Sequence, residues 1–281
     1  MLVDLHTHSS ASDGTQPPAD VVRRAAAAGV GVLALTDHDT VAGHAEAVRA
    51  LPPGLTLVRG MELSCRLHGH SLHLLAYLFD PGEPELAAER ERIRDDRAHR
   101  ARAIVERLVE LGTPVTWELV ERVTGDSVPG RPHIARAMVE AGVVASVEEA
   151  FSPEWIGAGG RAYADRYALD PVRAIRLVRG AGGVPVLAHP RADRRGYRVS
   201  DEDIAAFAEV GLGGVEADHP DHAPADRGLL RGLAGELGLF VTGASDDHGE
   251  LTGHRLGAES TAPAAYDALV SQATGARPDL G

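Results

Sequence analysis

MLVDLHTHSSASDGT, residues 1–15, places Asp4, His6, His8 and Asp13 directly after the apolar pair Leu2 and Val3. Charges and imidazoles at the end of a buried strand are costly unless something binds them. The stretch therefore reads as a short buried strand that delivers ligands at its C-terminal end.

The same arrangement recurs. Apolar stretches bounded by Gly, Pro or polar turn residues fall at 2–5, 31–35, 55–59, 72–78, 184–187, 214–217 and 239–242, and each reads as a buried strand. Helical segments are expected at 17–28, 41–50 and 170–179, the last opening on Asp170 and Pro171, a favoured cap and first-turn pair. Such alternation implies parallel strands with helices outside them. The interval from 81 to 165 breaks the rhythm with a charged helix over 83–111, further helices over 117–123 and 131–141, and Ser146 with Glu149 as a capping box. Residues 1–80 and 166–281 are thus expected to form one α/β domain, with 81–165 as a helical insertion covering the active site. The last residues, ATGARPDLG at 273–281, read as a frayed end.

Composition limits the classes. A chain of 281 residues accommodates one large domain, or a core with an insertion. Its 44% hydrophobic and 25% charged residues are those of an ordinary globular protein rather than a disordered one. No basic segment followed by an apolar run opens the chain, and no run of about 18 apolar residues occurs, so a cytoplasmic protein without membrane partners is expected. Cys65 is the only cysteine, so a metal must sit on nitrogen and oxygen ligands. The net charge of −13 disfavours stable association with duplex nucleic acid or an anionic membrane. Oligomeric state is left open.

Candidate ligands stand where the strands end: His6 and His8, Asp37 and His38, Glu62, His189, Glu216, then Asp246 and His248. In a parallel barrel these ends converge on one face. His and carboxylate donors without thiolate suit zinc, manganese or iron, and a carboxylate such as Glu62 can bridge two ions. Asp37 and Asp39 read as orienting their neighbours. His44, His68, His70, His99 and His254 read as solvated.

In order and spacing, "DLHTHSSASDGT", "LTDHDT", "GMELS", "LAHP" and "SDDH" resemble the PHP (polymerase and histidinol phosphatase) family, and the likeness spans nearly the whole chain. The resemblance implies a distorted (β/α)7 barrel holding three divalent ions, Mn, Fe or Zn. It implies one ion on His6, His8 and Asp246, and a second on Asp13, His38 and His248. Glu62, also a catalytic candidate, would bridge to a third ion on His73 and His189. Within the family, "GRPHIARAMVEAG" at 130–142 is similar to the branch of nucleoside 3′,5′-bisphosphate phosphatases that includes ribonuclease AM. That likeness implies that Arg131 binds substrate phosphate and that Arg161, in "GGRAY" where relatives often carry Lys, does the same. His219 joins the substrate-binding candidates, although Ala217 and Asp218 stand where relatives usually show aromatic residues.

Phosphate ester hydrolysis needs neutralised equatorial oxygens, a deprotonated water in line and relief of charge on the leaving oxygen. Clustered metals meet the first two needs by clamping oxygens and lowering the pKa of water. A guanidinium adds bidentate binding, and His222 in "HPDH" is the candidate proton donor to the leaving group. The expected activity is removal of the 3′-phosphate from nucleoside 3′,5′-bisphosphates, with 5′-to-3′ trimming of short 5′-phosphorylated RNA as an extension. Alternatives are a phosphatase for histidinol phosphate or a sugar phosphate, and a catalytically weak nucleotide-sensing module, against which the full set of nine ligands argues. A proofreading nuclease is disfavoured by the absence of a basic groove signature.

Overall fold

In the computed structural model, which describes residues 1–125, 127–192 and 197–281, the apolar stretches become strands because both their faces are covered. Val3, Leu5, Leu33, Ala34 and Leu35 have no exposed surface. The strands are β1 (Leu2–Asp4), β2 (Val30–Leu35), β3 (Thr56–Leu67), β4 (His70–Tyr77), β5 (Val184–Leu187), β6 (Gly214–Asp218) and β7 (Phe240–Gly243). They form one sheet in sequence order. Beyond the strand ends, Thr7 and Asp247 form a parallel bridge and the His8 amide donates to the Asp247 carbonyl at 2.9 Å, so the last strand returns to the first. This is the connection that a barrel requires.

Four of the six neighbour pairs are parallel, but β4 runs antiparallel to both β3 and β5. The expectation of parallel strands throughout is corrected here. β3 continues to Leu67 and reverses through His68 and Gly69, whose φ values of 49° and 85° make the left-handed two-residue turn of a tight hairpin. The reversal has a consequence for the site. It puts the start of β4, and with it His73, at the end of the sheet where the parallel strands finish.

The C-terminal segment is also corrected. It is paired: β8 (Asp279–Leu280) lies antiparallel on β3, with Thr56 opposite Leu280, and Asp279 meets Arg59 Nε at 2.8 Å.

Helices α1 (Pro18–Ala27) and α2 (His44–Arg49) follow β1 and β2, and α1 buries Val21, Val22 and Ala25. In α7 (Pro171–Gly180) the Asp170 carboxylate caps the Arg173 amide at 3.1 Å, and Ala174, Ile175 and Val178 are buried. α8 (Asp201–Glu209), α9 (Pro224–Leu237) and α10 (Pro263–Gln272) complete this unit.

By its internal contacts the chain divides into Met1–Glu89 with Ala168–Gly281, and Arg90–Tyr167. The helix α3 (Pro84–Glu110) begins in the first and continues into the second. The second unit adds α4 (Trp117–Thr124), α5 (Arg131–Glu140) and α6 (Val147–Ala150) around its own core of Ile104, Leu108, Val120, Ile134 and Met138. Ser146 caps α6 by accepting from the Glu149 amide at 3.2 Å. The reciprocal half of the expected capping box is absent, because the Glu149 carboxylate takes the Ala145 amide instead, at 2.7 Å. Among the described residues no helix is long and apolar enough to cross a membrane.

Candidate metal centre

The ligand types named from the sequence meet in the larger unit. His6 and His8 leave the end of β1, His38 follows β2, Glu62 and His73 belong to the β3–β4 pair, His189 follows β5, and Asp246 and His248 follow β7. Parallel bridging of His38 with Glu62 carries β2 alongside the middle of β3, which explains why a mid-strand glutamate reaches the same place as strand-end histidines.

Glu62 stands at the centre. Its Oε2 lies 3.2 Å from His6 Nε2, 3.1 Å from His8 Nε2 and 3.2 Å from His38 Nδ1. Its Oε1 lies 2.6 Å from His73 Nδ1 and 3.0 Å from His189 Nε2. Asp246 Oδ1 approaches the same pair, 3.4 Å from His6 Nε2 and 3.3 Å from His8 Nε2. Four groups have ligand atoms close enough to share an ion: His6, His8, Glu62 and Asp246; His8, Asp13, His38 and His248; His38, Glu62 and His73; and His6, His189 and Glu216. His6, His8 and Asp246 are therefore together, with Glu62 added, and Asp13, His38 and His248 are together, with His8 added. His73 groups with His38, and His189 with His6 and Glu216, while both also touch Glu62.

The donors fit divalent cations. His8 Nδ1, His38 Nδ1 and Glu62 Oε2 are buried and make no hydrogen bond, although imidazole nitrogens surround that oxygen. Buried polar atoms are nearly always hydrogen-bonded, and lone pairs converging without a proton between them are what a bound cation organises. Electrostatics agree. Burial alone would lower the pKa of His6, but Glu62, Asp246 and Glu216 raise it well above its ordinary value. His8 is likewise opposed by burial and raised to about 10 by Asp246 and Glu62. Burial, with the charges of His8 and His73, lowers His38 to about 3. Burial opposes ionisation of Glu62 and Asp246, yet the surrounding imidazoles hold both carboxyls well below their usual range. A cation bound among these groups would compete with protons for the same nitrogens, so its affinity would rise with pH.

Around these donors a second layer fixes geometry. Asp37 accepts from the Ser9 amide at 2.8 Å and from the Ser9 and Ser12 hydroxyls at 2.7 Å, shaping the loop that presents Asp13. Asp39 accepts from the Ser64 amide and hydroxyl, both at 2.7 Å. Asp4 accepts from the Ser245 and Gly257 amides at 3.0 and 2.8 Å, and burial pushes its pKa to about 6. Two donors sit on left-handed backbone, His189 at φ 28° and Asp246 at φ 49°, strain of the kind found at functional sites.

Three assignments change. His222 was the expected proton donor, but its Nδ1 donates to the Ala217 carbonyl at 2.9 Å while its Nε2 accepts from the Arg191 amide at 3.1 Å. Burial lowers its pKa, and in this arrangement both ring nitrogens are held by backbone atoms. His219, expected at the substrate, is fully buried: its Nδ1 accepts from the Asp221 amide at 3.0 Å and its Nε2 faces Asp246 Oδ2 at 3.3 Å, which orients that carboxylate. His44, expected in solvent, is buried with Nε2 at 2.8 Å from the Gly60 carbonyl. Arg131 and Arg161 belong to the helical unit, where the Arg131 guanidinium lies 5.2 Å from the Phe151 ring centre and Arg161 pairs with Glu154 at 3.0 Å.

Two residues escaped assignment. Glu216 stands among the strand-end candidate ligands but was placed on none of the three ions; its Oε1 is 3.2 Å from His6 Nδ1 and its Oε2 accepts the His189 amide at 2.9 Å. Arg255 carried no motif, yet its Nη2 donates to the Asp246 carbonyl at 3.1 Å.

Comparison with known proteins places this centre in context. Residues 4–112 match the model of the PHP domain. A 5′-3′ exoribonuclease of Haemophilus influenzae is 33% identical over 246 residues, 87% of this chain and 89% of the relative. A 3′,5′-nucleoside bisphosphate phosphatase of Chromobacterium violaceum is 32% identical over 255 residues, 90% of this chain and 89% of the relative. The crystal structure of a Bifidobacterium adolescentis protein assigned as a metal-dependent phosphoesterase superposes with a TM-score of 0.90 at 33% identity, covering 96% of each chain.

Proposed function

The chain belongs to the PHP family of metal-dependent phosphoesterases, and we propose that it removes the 3′-phosphate of nucleoside 3′,5′-bisphosphates. The observation that carries the reading is the buried ring of imidazoles and carboxylates around both oxygens of Glu62. The substrate is taken from the likeness to the Chromobacterium violaceum phosphatase. Likeness to the Haemophilus influenzae exoribonuclease supports 5′-to-3′ trimming of short 5′-phosphorylated RNA by the same centre. A net charge of −13 favours small or end-bound substrates over duplexes. The proposed setting is the cytoplasm.

Three divalent ions, Mn, Fe or Zn, are proposed on His6, His8, Asp13, His38, Glu62, His73, His189, Asp246 and His248, with Glu216 close enough to His6 and His189 to join them. Bound there, they would neutralise phosphate oxygens and lower the pKa of water. The protein's own part is positioning. Glu62 spans the donors through its two oxygens, Glu216 fixes the His6 ring through Nδ1, and His219 steadies the Asp246 carboxylate. With both nitrogens of His222 bound to backbone, protonation of the leaving oxygen is left to solvent in this proposal. Arg131 and Arg161 are proposed as phosphate ligands from their sequence likeness.

The test is phosphate release by Mn²⁺-reconstituted protein from adenosine 3′,5′-bisphosphate, beside AMP, histidinol phosphate and a 5′-phosphorylated oligoribonucleotide, with Arg131→Ala in parallel. Selective turnover of the bisphosphate, diminished in the variant, supports the reading. Turnover of simple monoesters alone, indifferent to Arg131, overturns the nucleotide assignment.

A further inference from the structure

We propose that Arg255 is a positioning residue of the metal centre: by holding the Asp246 carbonyl it sets how Asp246 and His248 are presented to their ions. The inference rests on reading the cluster as a metal centre and is independent of the substrate.

Asp246 occupies the left-handed region at φ 49°, which a residue with a Cβ rarely adopts without support. This conformation turns its carbonyl toward two donors, Arg255 Nη2 at 3.1 Å and His248 Nδ1 at 3.0 Å. With Nδ1–H committed to the carbonyl, His248 keeps the lone pair of Nε2, which lies 3.5 Å from Asp13 Oδ1 in the second ligand group. The Asp246 carboxylate meanwhile faces His6 and His8 in the first group. One carbonyl therefore couples two ligands that serve different groups.

Arg255 is suited to hold it. Its amide donates to Asp247 Oδ1 at 2.7 Å, the carboxylate that also takes the Thr252 hydroxyl at 3.0 Å and, through Oδ2, the Gly249 amide at 3.1 Å. The loop after His248 is thereby folded back until the guanidinium reaches Asp246. Its other near neighbours, Asp246 Oδ2 at 3.7 Å and Asp221 Oδ1 at 3.9 Å, balance its charge from beyond hydrogen-bond distance. Nε is buried and makes no hydrogen bond, so the bond to the carbonyl is what fixes the group.

The experiment measures divalent metal affinity of the full chain, without substrate, by competition with a chelator, together with the visible spectrum of the Co²⁺-loaded protein. Arg255→Met is expected to weaken the ions of these two groups by about 10- to 100-fold, the range found when a partner of a metal ligand is removed, and to alter the Co²⁺ spectrum. Arg255→Lys, which keeps one donor for the carbonyl, is expected to lose several-fold at most, and added methylguanidinium is expected to restore affinity to Arg255→Met. Affinity and spectrum unchanged in a folded Arg255→Met overturn the proposal, as does an equal loss of every ion that methylguanidinium does not restore. If Arg255→Met does not fold, Arg255→Gln, which removes the guanidinium but keeps a polar side chain, decides: weakening of these ions supports the proposal, and no weakening overturns it. A wild-type chain that binds metal but ignores bisphosphates removes the substrate assignment and leaves this inference standing; one that binds no divalent ion overturns both.

Discussion

Glu62 uses both carboxylate oxygens inside the cluster and has no exposed surface, whereas His73 contributes a single nitrogen at the edge of one group. Glu62→Gln should therefore lower metal content per chain more than His73→Ala, by disturbing every group that either oxygen faces. Equal losses by elemental analysis would contradict this. Glu216→Gln should cost about 10- to 100-fold in metal affinity, because it weakens the partner that orients His6 and the acceptor of the His189 amide. An affinity unchanged by chelator competition would assign Glu216 no part in the centre. The sequence displays these donors well, since strand-end His and carboxylate residues have few other reasons to occur in order. It does not display what His219 and His222 do. Apart from the Asp246 carboxylate at His219, their partners are backbone groups of Asp221, Ala217 and Arg191, which only the folded turn brings into range, and nothing in "HPDH" distinguishes a strut from a proton donor.

At the scale of elements, continuous apolar runs mark the strands, and caps such as Asp170 mark helix starts, because burial on two faces and unpaired helix amides leave local signatures. Strand direction leaves almost none. The reversal of β4 is written only in His68 and Gly69, a two-residue turn whose left-handed backbone is easily overlooked beside so many histidines. The C-terminal strand is fainter still. "PDL" is short and Leu280 is 81% exposed, so no hydrophobic pattern announces β8, which is held by backbone pairing and by the Arg59–Asp279 ion pair. Removing Asp279–Gly281 should cost about 1–3 kcal/mol, from a few net hydrogen bonds and the half-buried ion pair. That loss corresponds to a melting temperature lower by roughly 2–10 °C. Calorimetry of the truncated chain showing no change would mean that β8 frays in solution.

For the whole molecule, part of the acidity faces inward. Asp4, Asp13, Asp37, Asp39, Glu62, Glu216, Asp246 and Asp247 are all buried in the larger unit, where Glu62 and Asp246 crowd against imidazoles that share their charge. Bound cations would relieve that crowding, and an ion present at 100 times its dissociation constant adds about 2.7 kcal/mol to the stability of the state that binds it. The helical unit encloses its own core of Ile104, Leu108, Val120, Ile134 and Met138, and none of the candidate ligand groups lies in it among the described residues. Chelation should therefore destabilise the two units unequally. Amide hydrogen exchange of the metal-loaded and chelated chain should show protection falling in β1–β7 while α4–α6 keep theirs, and calorimetry should show the transition of the larger unit moving down by roughly 5–10 °C. A uniform fall in protection would mean that the chain unfolds as one cooperative body and that the centre stabilises all of it. Unchanged protection everywhere would mean that burial and hydrogen bonding already hold these carboxylates, leaving the cations a part in chemistry alone.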